Sequence, residues 1–240
     1  MSASSTELLI TVIARLLAGC GHVAVGAQSP IPGSAALLAR EQSAGAMRVT
    51  VLGSMTNNAF TNGGVELFDM AAQGRIDAFF LGGGQIDGSG NINLVGTGRY
   101  PKSDVRWPGS FGSSYLYFLV PRVILFREEH TKRVLVPKVD FISAPGQSAK
   151  GIYRPGGPHS LVTGLAHFSF DRGRGRFRLE SVHPGHTLEE VLDNTGFEFD
   201  RPDEVPSTAA PEAATLELIR DKIRREIAET YPRFAGGNGR

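Results

Sequence analysis

Cysteine is almost missing from this chain: Cys20 stands alone, so no internal disulfide can staple the fold. Long apolar runs are missing too, and nothing approaches the ~20 residues needed to cross a bilayer. Charge of one sign is not in excess, because 25 Lys and Arg face 24 Asp and Glu for a net charge of +1. No global field therefore draws the protein to nucleic acid or to an anionic membrane, neither is expected as a partner, and any anion site must be local. The first residues lack a basic region followed by an apolar stretch and a small-residue cleavage site, which makes the cytoplasm the expected compartment. No repeat of solenoid length is visible. What is present is 240 residues with 41% apolar and 20% charged content, enough for one substantial core.

Ser4 followed by Glu7 reads as a capping box, and Leu8/Leu9, Val12/Ile13 and Leu16/Leu17 recur at helical spacing. Gly19 and Gly21 stop that helix, His22 to Gly26 reads as a strand, and Gln28 to Gly33 as a turn-rich loop before a second helix near 34–43. Met47 to Gly53 gives another strand, Asn62 a cap for a helix over Gly64 to Gln73, and Ile76 to Leu81 an all but apolar strand suited to a covered sheet. This alternation predicts an α/β fold. Asp87-Gly88 and Ser89-Gly90 between Ile86 and Ile92 predict a tight hairpin. Leu161 to Phe170 and Phe177 to Val182 read as two strands joined by an Arg172–Arg176 turn near a sheet edge. By propensity alone Tyr115 to Phe126 is one strand broken at Pro121. A short helix is expected from Thr187 to Asp193, and Leu216, Ile219, Ile223 and Ile227 share one face of a C-terminal helix ended by Pro232. That apolar strip either closes this chain's own core or meets another chain. Residues 1–232 are expected to form a single domain with a helical extension, and 233–240 a disordered tail.

Several ordered segments carry a resemblance over roughly Glu7 to Ile227. They are Val25-Gly-Ala-Gln-Ser-Pro30, Gln73-Gly-Arg-Ile-Asp77, Gly84-Gln85-Ile-Asp87, Gly90-Asn91-Ile-Asn93, Gly109-Ser-Phe-Gly112 and Val182-His-Pro-Gly185-His-Thr-Leu-Glu-Glu190. In this order they resemble the β subunit of family I coenzyme A transferases of the glutaconate and 3-oxoacid types. The resemblance implies an open sheet with helices on both faces, and a helix up to about Leu119 followed by a strand after Pro121. It breaks at one place: in Val49-Thr-Val-Leu-Gly-Ser54-Met-Thr56, Ser54 stands where the family keeps its nucleophilic glutamate. A carboxylate forms an anhydride with the acyl group and then an enzyme thioester, whereas a hydroxyl could give only an ester, a poorer acyl donor. Ser54 also has no activating His or acid beside it in the local sequence.

In this combination the chain resembles the two-chain, CoA-transferase-like hydrolases that open the last steroid ring in cholesterol breakdown. What that implies is hydrolysis of a carbon–carbon bond in a cyclic β-keto acyl-CoA by water and a general base, with an enolate held by backbone N–H donors. Ser54, Asn57 and Asn58 are then expected to line the space left by the glutamate, Gly84 and Gln85 to contact substrate, and Gly112 and Ser113 to lie near the thioester. The base is expected on a homologous α subunit, in an α2β2 heterotetramer. Coenzyme A enters as part of the substrate, with no tightly bound cofactor and no metal.

Two other readings stay open: an ordinary CoA transferase whose carboxylate comes from a shifted acid such as Glu66 or from the partner, and a non-catalytic structural subunit. Single features also have plainer readings. Asn57, Asn58 and Asn62 can simply bend and cap their loop, and the glycines can serve turns. His183 and His186 have a metal-like spacing, but Pro184-Gly185 between them makes a turn. Arg172, Arg174 and Arg176 could meet CoA phosphates or sit in solvent. Trp107 and Tyr115 read as packing residues.

Overall fold

The structure, a computed structural model, describes residues 3–237 and divides into two compact units, one up to Phe80 together with the chain from Ala209 onward, the other Leu81–Thr208. Helix α1 (Ser5–Leu16) opens with the predicted reciprocal cap: Glu7 N–H donates to Ser4 Oγ at 3.2 Å and Ser4 N–H to Glu7 Oε2 at 2.8 Å. Strand β1 (His22–Val25) follows, then α2 (Pro30–Gln42), β2 (Arg48–Val51), α3 (Gly63–Ala72) and β3 (Ala78–Leu81). Helix α2 starts four residues earlier than expected. Pro30 occupies its first turn, where a missing N–H costs nothing, so the prolines that read as a loop start a helix instead. In the first unit β1 lies between β2 and β3, both parallel to it. All four side chains of β1 and of β3 are buried, which is why these strands read as continuous apolar runs rather than alternating ones.

In the second unit two short antiparallel pairs come first, β4 (Gln85–Ile86) with β5 (Ile92–Asn93) and β6 (Gly96–Thr97) with β7 (Val105–Arg106). The first is the expected hairpin. Helix α4 (Ser113–Leu119) and β8 (Arg122–Arg127) fall on either side of Pro121, as the resemblance implied and propensity alone did not. Strands β9 (Pro158–Thr163), β10 (Ala166–Asp171) and β11 (Arg176–Val182) complete this unit: β9 is parallel to β8, and β9, β10 and β11 are successively antiparallel. The single strand expected over Leu161 to Phe170 is thus two strands. Thr163 turns the chain, its hydroxyl accepting from the N–H groups of Leu165 and Ala166. Buried Phe168, Phe170 and Phe177 pack with half-buried Phe197 and Phe199, mostly edge to face.

Helix α5 (Leu188–Asn194) carries a second capping box, Thr187 with Glu190. The C-terminal helix runs through α6 (Ala213–Leu218), a π turn (Ile219–Ile223) and α7 (Arg224–Ala228), and then α8 (Pro232–Ala235). Leu216, Ile219, Ile223 and Ile227 are all buried, Ile227 against Gly33 of α2, so the strip closes this chain's own first unit. Residues 232–235, most of which fall in the tail expected to be disordered, are helical with Pro232 in the first turn. Residues 238–240 lie outside the described residues.

Candidate active site

In parallel α/β sheets ligands bind beyond the carboxyl ends of strands, and β2 ends at the Ser54 junction. Gly53 makes the bend with φ +91°, a left-handed conformation that side chains resist. The chain then folds back so that Asn57 C=O accepts from Val51 N–H at 2.7 Å. Inside this bend Ser54 Oγ accepts from Asn57 N–H at 2.9 Å and Thr56 N–H at 3.3 Å. Its own proton goes to Glu229 Oε2 at 2.7 Å, and the N–H of Met55 goes to Glu229 Oε1, also at 2.7 Å. Thr230 Oγ1 donates to the same carboxylate at 2.8 Å. The Ser54 hydroxyl and the Met55 N–H hold the Glu229 carboxyl below its usual range. Ser54 is only 6% exposed and Met55 is 88% exposed, so the bend turns the hydroxyl inward and the apolar side chain outward.

A second contact secures the same loop. Asn57 Oδ1 accepts from Arg40 Nη1 of α2 at 2.8 Å, and Arg40 Nη2 pairs with Glu226 Oε2 at 2.5 Å. Asn58 Oδ1 accepts from Phe60 N–H at 3.1 Å, an Asx turn. Ser54, Asn57 and Asn58 therefore do share one loop; the side-chain oxygens of Ser54 and Asn58 serve the loop's own fold, and that of Asn57 ties it to α2. Glu66 is occupied elsewhere: its Oε2 accepts from Thr61 N–H at 2.7 Å and Asn62 N–H at 3.3 Å at the start of α3, and these bonds lower its pKa. The side chain of Asn62, the expected cap of α3, makes no capping bond, and Glu66 instead ties the N–H groups of Thr61 and Asn62 back to the helix's first turn.

In the second unit Gln85 is buried at the centre of a polar network. Its Oε1 accepts from Asn93 Nδ2 at 2.7 Å and Asp140 N–H at 2.9 Å, and its Nε2 donates to Asp140 Oδ2 at 3.2 Å. Gly84 lies under the Trp107 ring, where an added Cβ would come within 2.2 Å of it. Gly112, at φ +70°, immediately precedes α4, and Ser113 Oγ donates to Ser110 C=O at 3.1 Å. Gly84–Gln85 and Gly112–Ser113 occupy separate segments of this unit.

Other candidate ligands have structural partners. His183 is buried between Thr208 Oγ1 at 2.8 Å and Thr163 C=O at 3.1 Å, and His186 lies 3.4 Å from Glu190. Arg172 donates to the carbonyls of Pro121, Pro155 and Gly157, while Arg174 and Arg176 both pair with Asp200. Glu229, Glu226 and Arg40 belong to the junction as well, and no sequence motif announces them. Two acids three apart on a C-terminal helix are the available sign, but nothing local to them names the loop they meet.

The profile of the Coenzyme A transferase family matches residues 5–194, and the chain belongs to that family. Over 162 residues it is 37% identical to one subunit of the 3-oxoadipate CoA-transferase of Pseudomonas knackmussii, a match covering 65% of this chain and 62% of that protein. It is 32% identical over 162 residues to the cholesterol ring-cleaving hydrolase IpdB subunit of Rhodococcus jostii, covering 66% of this chain and 63% of that one. The matches thus span less than two thirds of the length of these relatives. The crystal structure of Rhodococcus jostii RHA1 IpdAB superposes with a TM-score of 0.80 at 26% identity, over 92% of this chain and 94% of that chain. No helix among the described residues is long and apolar enough to cross a membrane.

Proposed function

We propose that this chain is the β-type subunit of a two-chain acyl-CoA hydrolase that opens a ring by cleaving a carbon–carbon bond, the substrate being a cyclic β-keto acyl-CoA of steroid origin. The observation that carries the reading is Ser54, a buried hydroxyl at the junction, with its proton and its oxygen both committed to the loop and to Glu229. Position 54 itself offers no carboxylate to form an anhydride, so acyl transfer through the family's usual residue is not available there. The likeness to a ring-cleaving hydrolase subunit supports the same reading.

In the proposed reaction a base takes a proton from water as the water oxygen bonds to the ring ketone carbon. The bond from that carbon to the thioester's α carbon breaks, its electron pair enters the thioester enolate, and the proton is returned to the α carbon. The products are a carboxylate and an open-chain acyl-CoA. Backbone N–H donors in the Gly112–Ser113 loop are the proposed enolate contacts, and the Ser54–Asn58 loop and Gly84–Gln85 the proposed substrate contacts. The site is proposed to be completed by a homologous α subunit in an α2β2 assembly, working in the cytoplasm without a tightly bound cofactor.

One observation favours a second reading. Glu229 brings a carboxylate to the junction from this chain, and the relative at 37% identity is a CoA-transferase subunit. A transferase using that carboxylate would move CoA to an acceptor acid. The complex of this chain with its α partner, assayed on cyclic and short-chain β-keto acyl-CoAs with and without acetate, separates the two. Ring opening independent of acetate supports the hydrolase, and acetyl-CoA formation without ring opening overturns it.

A further inference from the structure

The segment that meets the Ser54 junction lies outside residues 5–194, the part of the chain the family profile matches. Glu226 and Glu229 sit one helical turn apart at the end of the C-terminal helix, on side chains that leave the Leu216–Ile227 strip free to bury itself. Each reaches a different point of one five-residue loop: Glu229 grips Ser54 and Met55, and Glu226 grips Asn57 through Arg40. The loop's own ties are short-range ones, the Ser54 Oγ bonds to Thr56 and Asn57, the Val51–Asn57 backbone bond and the Asn58–Phe60 turn, and Met55 and Thr56 are exposed.

We infer that Glu229 is a positioning residue for the Ser54–Asn58 loop and that, with Glu226 and Arg40, it forms a two-point clamp by which the C-terminal helix sets the shape of the junction. This inference rests on the proposed function only for the statement that the loop faces substrate. Glu229 is suited to holding rather than to proton transfer. Its carboxylate already accepts three hydrogen bonds, and a general base works best when its basicity matches the working pH instead of being drawn down by donors. A carboxylate also fits the geometry, since one oxygen takes the hydroxyl and the other the backbone N–H.

The test uses the full chain, alone and in complex with its α partner, as wild type, Glu229→Ala, Glu229→Gln and Arg40→Met. Hydrogen exchange is read on the peptide covering Val51–Ala59, and kcat and KM are read on a cyclic β-keto acyl-CoA. Loss of the clamp should speed exchange in that peptide by about tenfold or more in Glu229→Ala and in Arg40→Met. Turnover in Glu229→Ala should fall on the order of 10- to 100-fold in kcat with KM nearly unchanged, the size expected when a loop near the chemistry is displaced. Glu229→Gln, whose amide can still accept from Met55 N–H, should recover most of both. Unchanged exchange in both Glu229→Ala and Arg40→Met overturns the clamp. So does a Glu229→Gln variant as inactive as Glu229→Ala with a normal exchange pattern, which would make Glu229 the base. If the wild-type complex opens no ring at all, the reading of function fails, while the exchange result still decides the clamp.

Discussion

At the scale of single residues, Ser54 decides what the junction can do. Its hydroxyl points into the loop, and the oxygen that would attack an acyl group accepts two N–H bonds while its proton is held by an ionised carboxylate. That carboxylate could be taken for an activating base, but its own basicity is lowered by the same bonds. Ser54→Ala should therefore keep turnover within about tenfold of wild type, in line with the loss of a loop hydrogen bond rather than of a nucleophile. Mass spectrometry of the complex after substrate quench should find no acyl group on Ser54, and a trapped acyl-serine would contradict this. Restoring the family residue with Ser54→Glu should not create CoA transfer. The site is buried, the longer side chain overpacks it, and a second carboxylate beside Glu229 is forced toward its neutral form by like-charge repulsion. Exchange of labelled free CoA by that variant is the measurement, with no exchange expected and brisk exchange contradicting it.

Elements show a different balance of forces. Buried His130 bridges β9 and α5 through Thr163 at 2.7 Å and Thr195 at 3.0 Å, and His183 joins Thr208 to the turn after β9. Burial pushes both imidazoles down from the ordinary 6.5 to about 4. Because the unfolded chain binds these protons more tightly, the stability they contribute is full above pH 6.5 and is lost as pH falls toward 4, at about 3 kcal/mol per histidine. Carboxylates such as Glu7 and Glu229, lowered from 4.5, lose their contribution only as pH falls through 4.5 and below. The urea midpoint should therefore drop steadily between pH 6.5 and 5, and a midpoint independent of pH there would contradict the two buried neutral histidines. Much of this level was legible in the sequence. The capping box at Ser4, the helix from Thr187, the strands β1 and β3 and the Ile86/Ile92 hairpin are local patterns, and each appears as read. The misreadings came where local cues are ambiguous: Pro30 and Pro32 suit a helix start as well as a loop, and the turn at Thr163 is made by a side-chain oxygen with no glycine-asparagine signature. The loop around Ser54 could be found, but not its clamp, because Glu229 meets Ser54 across 175 residues and only packing of the Ile223/Ile227 face brings them together.

On the scale of the whole molecule, the apolar strip of the C-terminal helix is spent inside this chain and is not free to bind another. Contact with the proposed α subunit would use other surface, and Met55 beside the junction, 88% exposed, is apolar area that a neighbouring chain or a substrate would cover. The chain by itself should therefore hydrolyse no cyclic β-keto thioester, and activity should appear on mixing with the α chain. Full activity from the isolated chain would contradict a shared site. The most direct test of ring-opening hydrolysis is to run the reconstituted complex in H2(18)O with acetate present and weigh the products by mass spectrometry. We expect one heavy oxygen in the new carboxylate of the ring-opened acyl-CoA and no acetyl-CoA; unlabelled ring with CoA carried to acetate would contradict it.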